Sequence, residues 1–349
     1  MKFDFVIGNP PYQDNTLGEN ETYAPPVYDK FMDEAYKVGD RVELITPARF
    51  LFNAGSTPKA WNRKMLNDEH LKVLYYKQNS SNVFSNTDIK GGVAITYHDN
   101  TKKFGKIEIF THFTELNSVM KKVKNNSGFK TLSDIVITRT AYRLTDKMHQ
   151  DNPNAENQLS KGHRYDMSTN IFERLPQIFF DKKPKDNNEY IQILGREKNK
   201  RVYKFVRREY INNVCNLDKY KIILPKSNGS GAIGEVLSTP LICTPLIGTP
   251  LIGTTESFIS IGIFDTEIEA QNALKYIKGK FSRAMLGILK ITQDNPPDRW
   301  YYVPLQDFTS DSDIDWSVSV AEIDKQLYKK YDLSPEEIEF IETHVKEMV

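Results

Sequence analysis

The residues best suited to chemistry in this sequence are four consecutive ones, Asn9, Pro10, Pro11 and Tyr12, which follow an apolar run at residues 3–8. The side-chain oxygen of Asn9 and the backbone carbonyl of Pro10 are two acceptors that can bind both hydrogens of one planar amino group. The prolines lack backbone donors and fix φ, so these acceptors sit on a stiff loop. Tyr12 adds a flat face on which an extruded base stacks. The motif therefore predicts that the loop binds the amino group of a flat substrate.

A second Asn-Pro-Pro, at residues 295–297, serves as a control within the same chain. Asp298 stands where an aromatic residue is required, and residues 289–293 end in polar side chains rather than at the edge of a buried strand. We interpret this copy as a turn. The alternative interpretation of residues 9–12 is likewise a proline-rich turn between a strand and a helix.

The chain of 349 residues is long enough for two domains. Its composition is that of an ordinary protein, with 47 basic and 46 acidic side chains and a net charge of +1. Cys215 and Cys243 form no CxxC pattern, so neither a disulfide framework nor a metal site is expected. The first residues do not resemble a signal peptide, and no apolar stretch is long enough to span a membrane. We therefore expect a cytoplasmic protein.

Periodicity in the first third of the chain predicts strands that alternate with helices. Residues 28–36 and 58–66 have helical spacing of apolar side chains, and the predicted strands after the motif are residues 41–45, 71–76 and 92–97. This alternation predicts an α/β fold, with a largely parallel sheet covered on both faces.

The rest of the chain predicts a mixed α/β domain followed by C-terminal helices. Strands are expected at residues 190–194, 202–206 and 221–224. Thr266 and Glu269 form a capping box for a helix through Phe281, and Ser334 opens the last helix. We expect three regions, at residues 1–125, 126–308 and 309–349.

Three tandem copies of Thr-Pro-Leu-Ile-Gly/Cys occupy residues 239–253. A period of five is too short for a solenoid unit, so we interpret them as an expanded loop.

Basic residues crowd one stretch of the middle region and are interleaved with Tyr203, Phe205 and Tyr210. Such a stretch in a nearly neutral protein is typical of a nucleic-acid footprint, and equally of a solvated strand face. The candidate DNA-binding residues are Arg196, Lys198, Lys200, Arg201, Lys204, Arg207 and Arg208, and the stretch continues to Lys219, Lys221 and Lys226.

Residues 5–12 resemble the catalytic segment of S-adenosylmethionine-dependent amino-methyltransferases, and more narrowly of N6-adenine DNA methyltransferases of type II (IIG-like) restriction–modification systems. Residues 44–51 are similar to the strand and turn that follow this segment in the family. Residues 82–85 with 91–95 are similar to its last conserved strand pair. The end of the family's target-recognition region resembles residues 291–294, 300–304 and 313–316.

The resemblance implies roles for individual residues. Asn9 and Pro10 would accept the hydrogens of the adenine amino group, and Tyr12 would stack on the flipped base. Phe84 would cover the other face of that base, unless it is simply a core aromatic residue. Arg49 would contact a phosphate or the cofactor carboxylate, or form a structural ion pair. Asn9 and Pro47 would make edge contacts with S-adenosylmethionine.

The sequence departs from the family at the cofactor site, because the family's Gly-containing cofactor turn precedes the catalytic strand, which here starts at residue 3. Residues 229–234 contain glycines but lack a strand–helix context. The resemblance therefore implies the C-terminal part of a methyltransferase, with a partial Rossmann-like sheet, an open sheet edge beside the strand of Val6 and an apolar face that needs a partner. We expect that this part does not bind S-adenosylmethionine by itself. Its expected partners are double-stranded DNA and a separate cofactor-binding chain, with no membrane.

Two alternatives remain at this stage. One is a non-catalytic DNA-binding specificity module, and the other is a protein-glutamine methyltransferase, because a side-chain amide also presents an amino group. The sequence contains no pattern of a metal-dependent nuclease and no helicase phosphate loop.

Overall fold

The computed structural model describes residues 2–14, 24–85, 89, 91–111, 113–229, 231–239 and 244–348. The chain divides into two compact units, Met1–Thr114 and Glu115–Val349. Both combine helices with strands, so the α/β class predicted from the sequence is confirmed. The predicted division at residues 125 and 308 stays a prediction.

The first unit is built on one four-stranded sheet in the order β1-β2-β4-β3. Its elements are β1 (Phe3–Gly8), α1 (Tyr28–Val38), β2 (Gly39–Pro47), α2 (Lys59–Leu66), β3 (Leu71–Lys77) and β4 (Val93–Asp99). β1 and β2 are parallel, whereas β4 lies between β2 and β3 and is antiparallel to both.

The expectation of a largely parallel sheet is therefore wrong. The segment between β3 and β4 contains only a short 3-10 turn, Ser80–Asn82, among its described residues. A parallel strand needs a crossover, usually through a helix, whereas a short connection returns the chain antiparallel. Residues 82–85, which resemble part of a strand pair, lie in this connection between β3 and β4 and not in a strand.

Helices cover one face of this sheet. Met32 of α1 and Met65 of α2 are fully buried, and the ring of Trp61 packs edge-on against Phe50 and Tyr28. A Cβ on Gly39 would lie 2.7 Å from the Val6 side chain, so glycine permits the tight passage from α1 into β2.

The second unit contains two further sheets. Its strands are β5 (Val136–Ile137), β6 (Tyr190–Glu197), β7 (Lys200–Arg207), β8 (Tyr220–Pro225), β9 (Leu246–Gly248), β10 (Ile252–Thr254) and β11 (Phe258–Phe264). One sheet has the order β10-β6-β7 and the other β5-β11-β8-β9. The strands predicted within residues 190–194, 202–206 and 221–224 are confirmed as the centres of β6, β7 and β8.

The second unit also contains helices. They are α3 (Thr114–Asn125), α4 (Asp146–Asp151), α5 (Ala155–Gln158), α6 (Ile171–Arg174), α7 (Glu267–Lys278), α8 (Lys280–Gly287), α9 (Val320–Lys330) and α10 (Pro335–His344). The Thr266 and Ser334 caps are confirmed. The helix expected to continue through Phe281 instead ends before Gly279, because Asp324 accepts the backbone N–H groups of Lys280 and Phe281 and thereby caps a new helix.

Candidate active site

The Asn-Pro-Pro-Tyr segment lies directly after β1, at the carboxyl end of the parallel pair β1–β2. Asn9 and Pro11 are exposed, while Pro10 and Tyr12 are half-buried. Within the described part of the chain, the Asn9 side chain makes no hydrogen bond. Its amide oxygen is therefore available to an external donor.

Backbone hydrogen bonds hold this loop against the segment that leads into α1. The Tyr12 carbonyl accepts the Val27 N–H at 3.2 Å, and the Asp14 N–H donates to the Pro25 carbonyl at 2.9 Å. Gln13 forms an antiparallel bridge with Pro26. The loop is thus fixed on both sides, by β1 before it and by this bridge after it.

Tyr12 and Phe84 come together although they are 72 positions apart in the sequence. Their ring centroids are 6.5 Å apart and the ring planes meet at 65°. Phe84 is half-buried, and its N–H donates to the Ser80 carbonyl at 2.8 Å. Burial raises the pKa of the Tyr12 hydroxyl, which makes no hydrogen bond to any described residue. Two aromatic rings therefore stand beside the acceptors of the loop.

Pro47 ends β2 and is buried, with the backbone N–H of Ala48 donating to the Gly92 carbonyl at 2.9 Å. Because β2 runs parallel to β1, Pro47 lies at the same sheet edge as Asn9.

Arg49 is half-buried next to this edge, and its alkyl chain runs between two glycines. A Cβ on Gly91 would lie 2.7 Å from Arg49 Cγ, and one on Gly55 3.0 Å from its Cδ. Burial raises the pKa of Tyr28 to about 12, which the Arg49 charge nearby partly opposes. Arg49 also makes interactions of its own within the chain. It is therefore a positioned cation and not a freely mobile one.

The second Asn-Pro-Pro lies in a very different environment. Asn295 is fully buried, and its side-chain amide donates to the Pro225 carbonyl at 3.1 Å and to Asn228 Oδ1 at 2.6 Å. Its backbone N–H donates to the Lys226 carbonyl at 2.8 Å. This copy ties a turn to the end of β8, as the interpretation from the sequence expected.

The glycines at residues 229–234 are occupied by packing within the chain. A Cβ on Gly229 would lie 1.9 Å from a Glu235 carboxylate oxygen, one on Gly231 2.2 Å from Ile291 backbone, and one on Gly234 2.5 Å from Val345 Cα. In the described part of this segment, these glycines allow close packing of the chain on itself. The residues present there do not fit S-adenosylmethionine.

β1 leaves an apolar face exposed. The expectation from strand–helix alternation that both faces of the sheet are covered is therefore wrong, whereas the exposed apolar face implied by the resemblance is present. Phe3 is 50% exposed, Phe5 60% and Ile7 77%. Alternate residues of a strand share a face, so these side chains form one stripe, to which Arg41 adds a cation over the Phe5 ring at 5.0 Å. In the described sheet β1 is also an edge strand, with unpaired backbone groups along one side.

The candidate DNA-binding residues separate into those that bind a partner within the chain and those that make no ion pair with a described residue. Lys204 pairs with Asp181 at 2.8 Å and lies 3.5 Å from Glu197. Arg207 and Arg208 are bound to neighbours, as Arg207 approaches Asp151 at 3.8 Å and Arg208 donates to Asn213 at 2.7 Å.

Arg201 donates to the Thr244 carbonyl and lies over the Phe258 ring at 5.9 Å. Lys221, at the end of the stretch, is fully buried and donates to backbone carbonyls, so it is inaccessible to DNA. Arg196, Lys198 and Lys200 make no ion pair with any described residue.

Sequence reasoning missed three lysines beside this stretch. Lys182, Lys183 and Lys185 are exposed in the loop before β6 and make no ion pair in the described part of the chain. The signal was present as Lys-Lys-Pro-Lys at residues 182–185. These residues belong to the same basic surface only because the fold brings that loop alongside β7.

The described residues contain no group of three or more His, Cys, Asp or Glu side chains arranged to hold a metal ion. Among their helices, none has the length and apolar character needed to cross a membrane.

Comparison with known proteins gives a family match that lies within the first unit. Residues 1–84 match the family model of the Eco57I restriction-modification methylase. An uncharacterized adenine-specific methylase of Mycoplasma pneumoniae is 29% identical over 117 residues, which are 33% of this chain and 28% of that relative. This chain is thus similar to methylases over part of its length, and the match spans less than a third of the relative's own length.

A solved structure, the type IIG restriction endonuclease BpuSI, aligns with 98% of this chain and 54% of its own, at 8% identity and a TM-score of 0.34. At that TM-score the likeness carries no argument.

Proposed function

We propose that this chain supplies the catalytic loop and the target-recognition region of an S-adenosylmethionine-dependent, adenine-specific DNA methyltransferase of a restriction–modification system. One observation carries the proposal. Within residues 1–84, which match a methylase family, the exposed Asn9–Tyr12 segment presents free acceptors next to the Tyr12–Phe84 ring pair.

In the proposed reaction, the target adenine leaves the DNA stack and its ring lies against Tyr12, with Phe84 at its other face. Asn9 Oδ1 and the Pro10 carbonyl accept the two hydrogens of its amino group. Held by these hydrogen bonds, the nitrogen lone pair is drawn out of conjugation with the ring. S-adenosylmethionine supplies the methyl group. The stiff loop contributes by positioning the acceptors before the base arrives, which lowers the entropic cost of reaching the reactive geometry.

We further propose that the cofactor is held mainly by a partner polypeptide that covers β1. The exposed stripe of Phe3, Phe5 and Ile7 and the unpaired edge of β1 are suited to receive a further strand and its covering helices. Asn9 and Pro47 lie at the carboxyl ends of β1 and β2 and would contact the cofactor from this side. The chain by itself is then expected to bind S-adenosylmethionine weakly and to transfer no methyl group.

The test coexpresses the chain with a second polypeptide in a host free of DNA methylation. The second polypeptide is the one that is encoded next to the chain and carries the Gly-rich cofactor motif. The expected product is N6-methyladenine at one short sequence in the host DNA, and its loss with Asn9→Ala. Methylated glutamine in a protein, with unmodified DNA, would instead identify a protein methyltransferase. DNA binding that survives Asn9→Ala, without methylation by the wild-type pair, would identify a non-catalytic specificity module.

A further inference from the structure

The hairpin of β6 and β7 forms a long two-stranded ribbon with a tight tip. Each strand has eight residues, paired in register from Tyr190 with Arg207 to Glu197 with Lys200. Lys198 and Asn199 alone make the turn, with φ of 47° and 62°. A two-residue turn with both φ values positive matches the right-handed twist of the strands, so the ribbon keeps its pairing up to the tip.

Cations without a partner are concentrated at this tip. Lys198 and Lys200 are exposed, Arg196 is half-buried, and none of them pairs with a described carboxylate. Arg196 lies directly opposite Arg201 in the register. Like charges opposite each other in a sheet are destabilising, which is typical of a surface arranged to receive an anion rather than to stabilise the fold.

The loop before β6 adds three cations beside the same ribbon. Phe180 and Phe205 exchange backbone hydrogen bonds of 2.8 and 2.7 Å in an antiparallel bridge, and Asp181 pairs with Lys204 at 2.8 Å. The chain then returns to the start of the ribbon, where the Tyr190 hydroxyl donates to Asp186 Oδ2 at 2.8 Å. The exposed lysines that follow Asp181 are Lys182, Lys183 and Lys185.

Carboxylates near the ribbon do not neutralise these six cations. Asp181 and Glu197 both lie within ion-pair distance of Lys204, at 2.8 and 3.5 Å. Asp186 accepts hydrogen bonds from Asn188 and from the Tyr190 hydroxyl. The ribbon and its loop therefore carry an excess of positive charge, although the whole chain is nearly neutral.

We infer that the β6–β7 ribbon is a phosphate-binding element that lays its tip in the major groove of duplex DNA. The major groove admits a two-stranded ribbon, and unpaired Lys and Arg side chains bind the phosphates along its walls. Arg196, Lys198 and Lys200 bind at the tip, and Lys182, Lys183 and Lys185 extend the interaction along the DNA backbone. The inference rests on the proposed function in one respect, that the substrate is DNA.

The test measures the affinity of the full chain for a fluorescent mixed-sequence duplex over a series of salt concentrations. One variant combines Arg196→Gln, Lys198→Gln and Lys200→Gln, and a second combines Lys182→Gln, Lys183→Gln and Lys185→Gln. The matched control, Lys121→Gln with Lys124→Gln and Lys130→Gln, removes three exposed lysines outside the ribbon. Asn199→Gly keeps the turn and all charges.

Each ribbon variant is expected to weaken binding, and the slope of log affinity against log salt is expected to fall by about 0.9 for each phosphate that the variant no longer binds. The control triple and Asn199→Gly are expected to bind as the wild type does. Equal slopes for the ribbon variants and the control would overturn the inference, as would a wild-type chain that binds no duplex at low salt.

Failure of the ribbon and failure of the proposed function give different results. If the ribbon variants bind normally while Asn9→Ala still abolishes adenine methylation, the ribbon assignment falls and the function stands. If the ribbon variants lose DNA affinity while the wild-type pair methylates no adenine, the ribbon stands and the methyltransferase proposal falls.

Discussion

At the scale of single residues, two copies of Asn-Pro-Pro in one chain have opposite environments. Asn9 is exposed and free of hydrogen bonds to described residues, whereas Asn295 is buried and donates twice. The sequence predicts this difference, because an apolar strand precedes Asn9 and an aromatic residue follows Pro11. The proximity of Phe84 to Tyr12 was expected only from the resemblance to the methyltransferase family. The 6.5 Å distance depends on how the chain returns between β3 and β4, which the residues themselves do not predict.

The ring of Tyr12, rather than its hydroxyl, is expected to carry function. Tyr12→Phe keeps the ring and removes a hydroxyl that makes no hydrogen bond to described residues, so methylation by the two-component enzyme should stay within a few-fold of wild type. Tyr12→Ala removes a stacking surface worth about 1–3 kcal/mol per base, so methylation should fall about 5- to 150-fold. Initial rates of methyl transfer to DNA check both. A Phe variant as impaired as the Ala variant would contradict a stacking role.

His98 makes the stability of the first unit depend on pH. The ring is buried, stacks on Tyr36 at 4.1 Å and lies 3.2 Å from Asp68, and burial lowers its pKa even though Asp68 opposes this. The unfolded state therefore binds more protons than the folded state once the pH falls below about 6.5, and protonation favours unfolding. The free energy of unfolding should decrease as the pH is lowered from 7 to 5.

Urea unfolding at several pH values, followed with a probe in the first unit, measures this dependence. His98→Phe keeps a ring for stacking on Tyr36 and should flatten it, whereas His163→Gln, at an exposed position in the second unit, should leave it unchanged. A pH dependence that is the same in His98→Phe and in the wild type would mean that other groups cause it.

At the scale of elements, the sequence predicted most strands and helices but not how the first sheet is connected. The period of two along β4 is identical whether the strand is parallel or antiparallel, so its insertion between β2 and β3 could not be read from residues 93–99. The break at Gly279 was missed for a related reason. It depends on Asp324, which is distant in sequence and accepts two N–H groups at the start of α8.

The pentapeptide repeat is more structured than the loop expected from the sequence. The second copy supplies β9, which pairs with β8, and the third supplies most of β10, which pairs with β6. Of the first copy, residues 240–243 lie outside the described part. Identical pentapeptides thus contribute strands to two different sheets, and each strand contains the glycine that ends its copy.

Deleting one copy is expected to have a cost that depends on which copy is removed. A Cβ on Gly248 would lie 2.6 Å from Ile223 Cδ1. Deletion of residues 244–248 moves Cys243 into that position, whereas deletion of residues 239–243 keeps the glycine. The two products have equal length and differ at one residue. The first should be less stable by about 1–3 kcal/mol in urea unfolding, because its side chain overpacks the strand. Equal stabilities of the two products would contradict the prediction, because they would show that the residue at the position of Gly248 is not packed against Ile223.

At the scale of the whole molecule, the proposed catalytic and DNA-binding elements lie in different units. The first carries the Asn9–Tyr12 loop and the exposed stripe of β1, and the second carries the basic ribbon. The net charge of +1 conceals this division, because the cations of the ribbon are offset by acidic side chains between Asp307 and Glu347. Composition therefore indicates only a nearly neutral protein, and the fold distinguishes unpaired from paired cations among the described residues.

The exposed stripe of β1 predicts dependence on a partner. Phe5→Glu with Ile7→Glu places two charges on the face proposed to be covered, so binding of the cofactor-binding polypeptide should weaken at least about 10-fold. Phe31→Glu with Val38→Glu changes two apolar residues of α1 that are also exposed, at 46% and 39%, and should leave that binding intact. Copurification and retention of labelled S-adenosylmethionine measure both. Equal effects of the two pairs would contradict docking at β1.

The central claim is that Asn9 Oδ1 accepts a hydrogen bond from an adenine amino group. The most direct measurement compares N6-methyladenine formation by wild type, Asn9→Ala and Asn9→Asp in the two-component enzyme. Asn9→Ala removes the acceptor and should lower the rate at least about 100-fold with DNA affinity unchanged. Asn9→Asp keeps oxygen acceptors at the same place and should retain measurable activity. An Asn9→Ala variant that methylates adenine at the wild-type rate would contradict the claim.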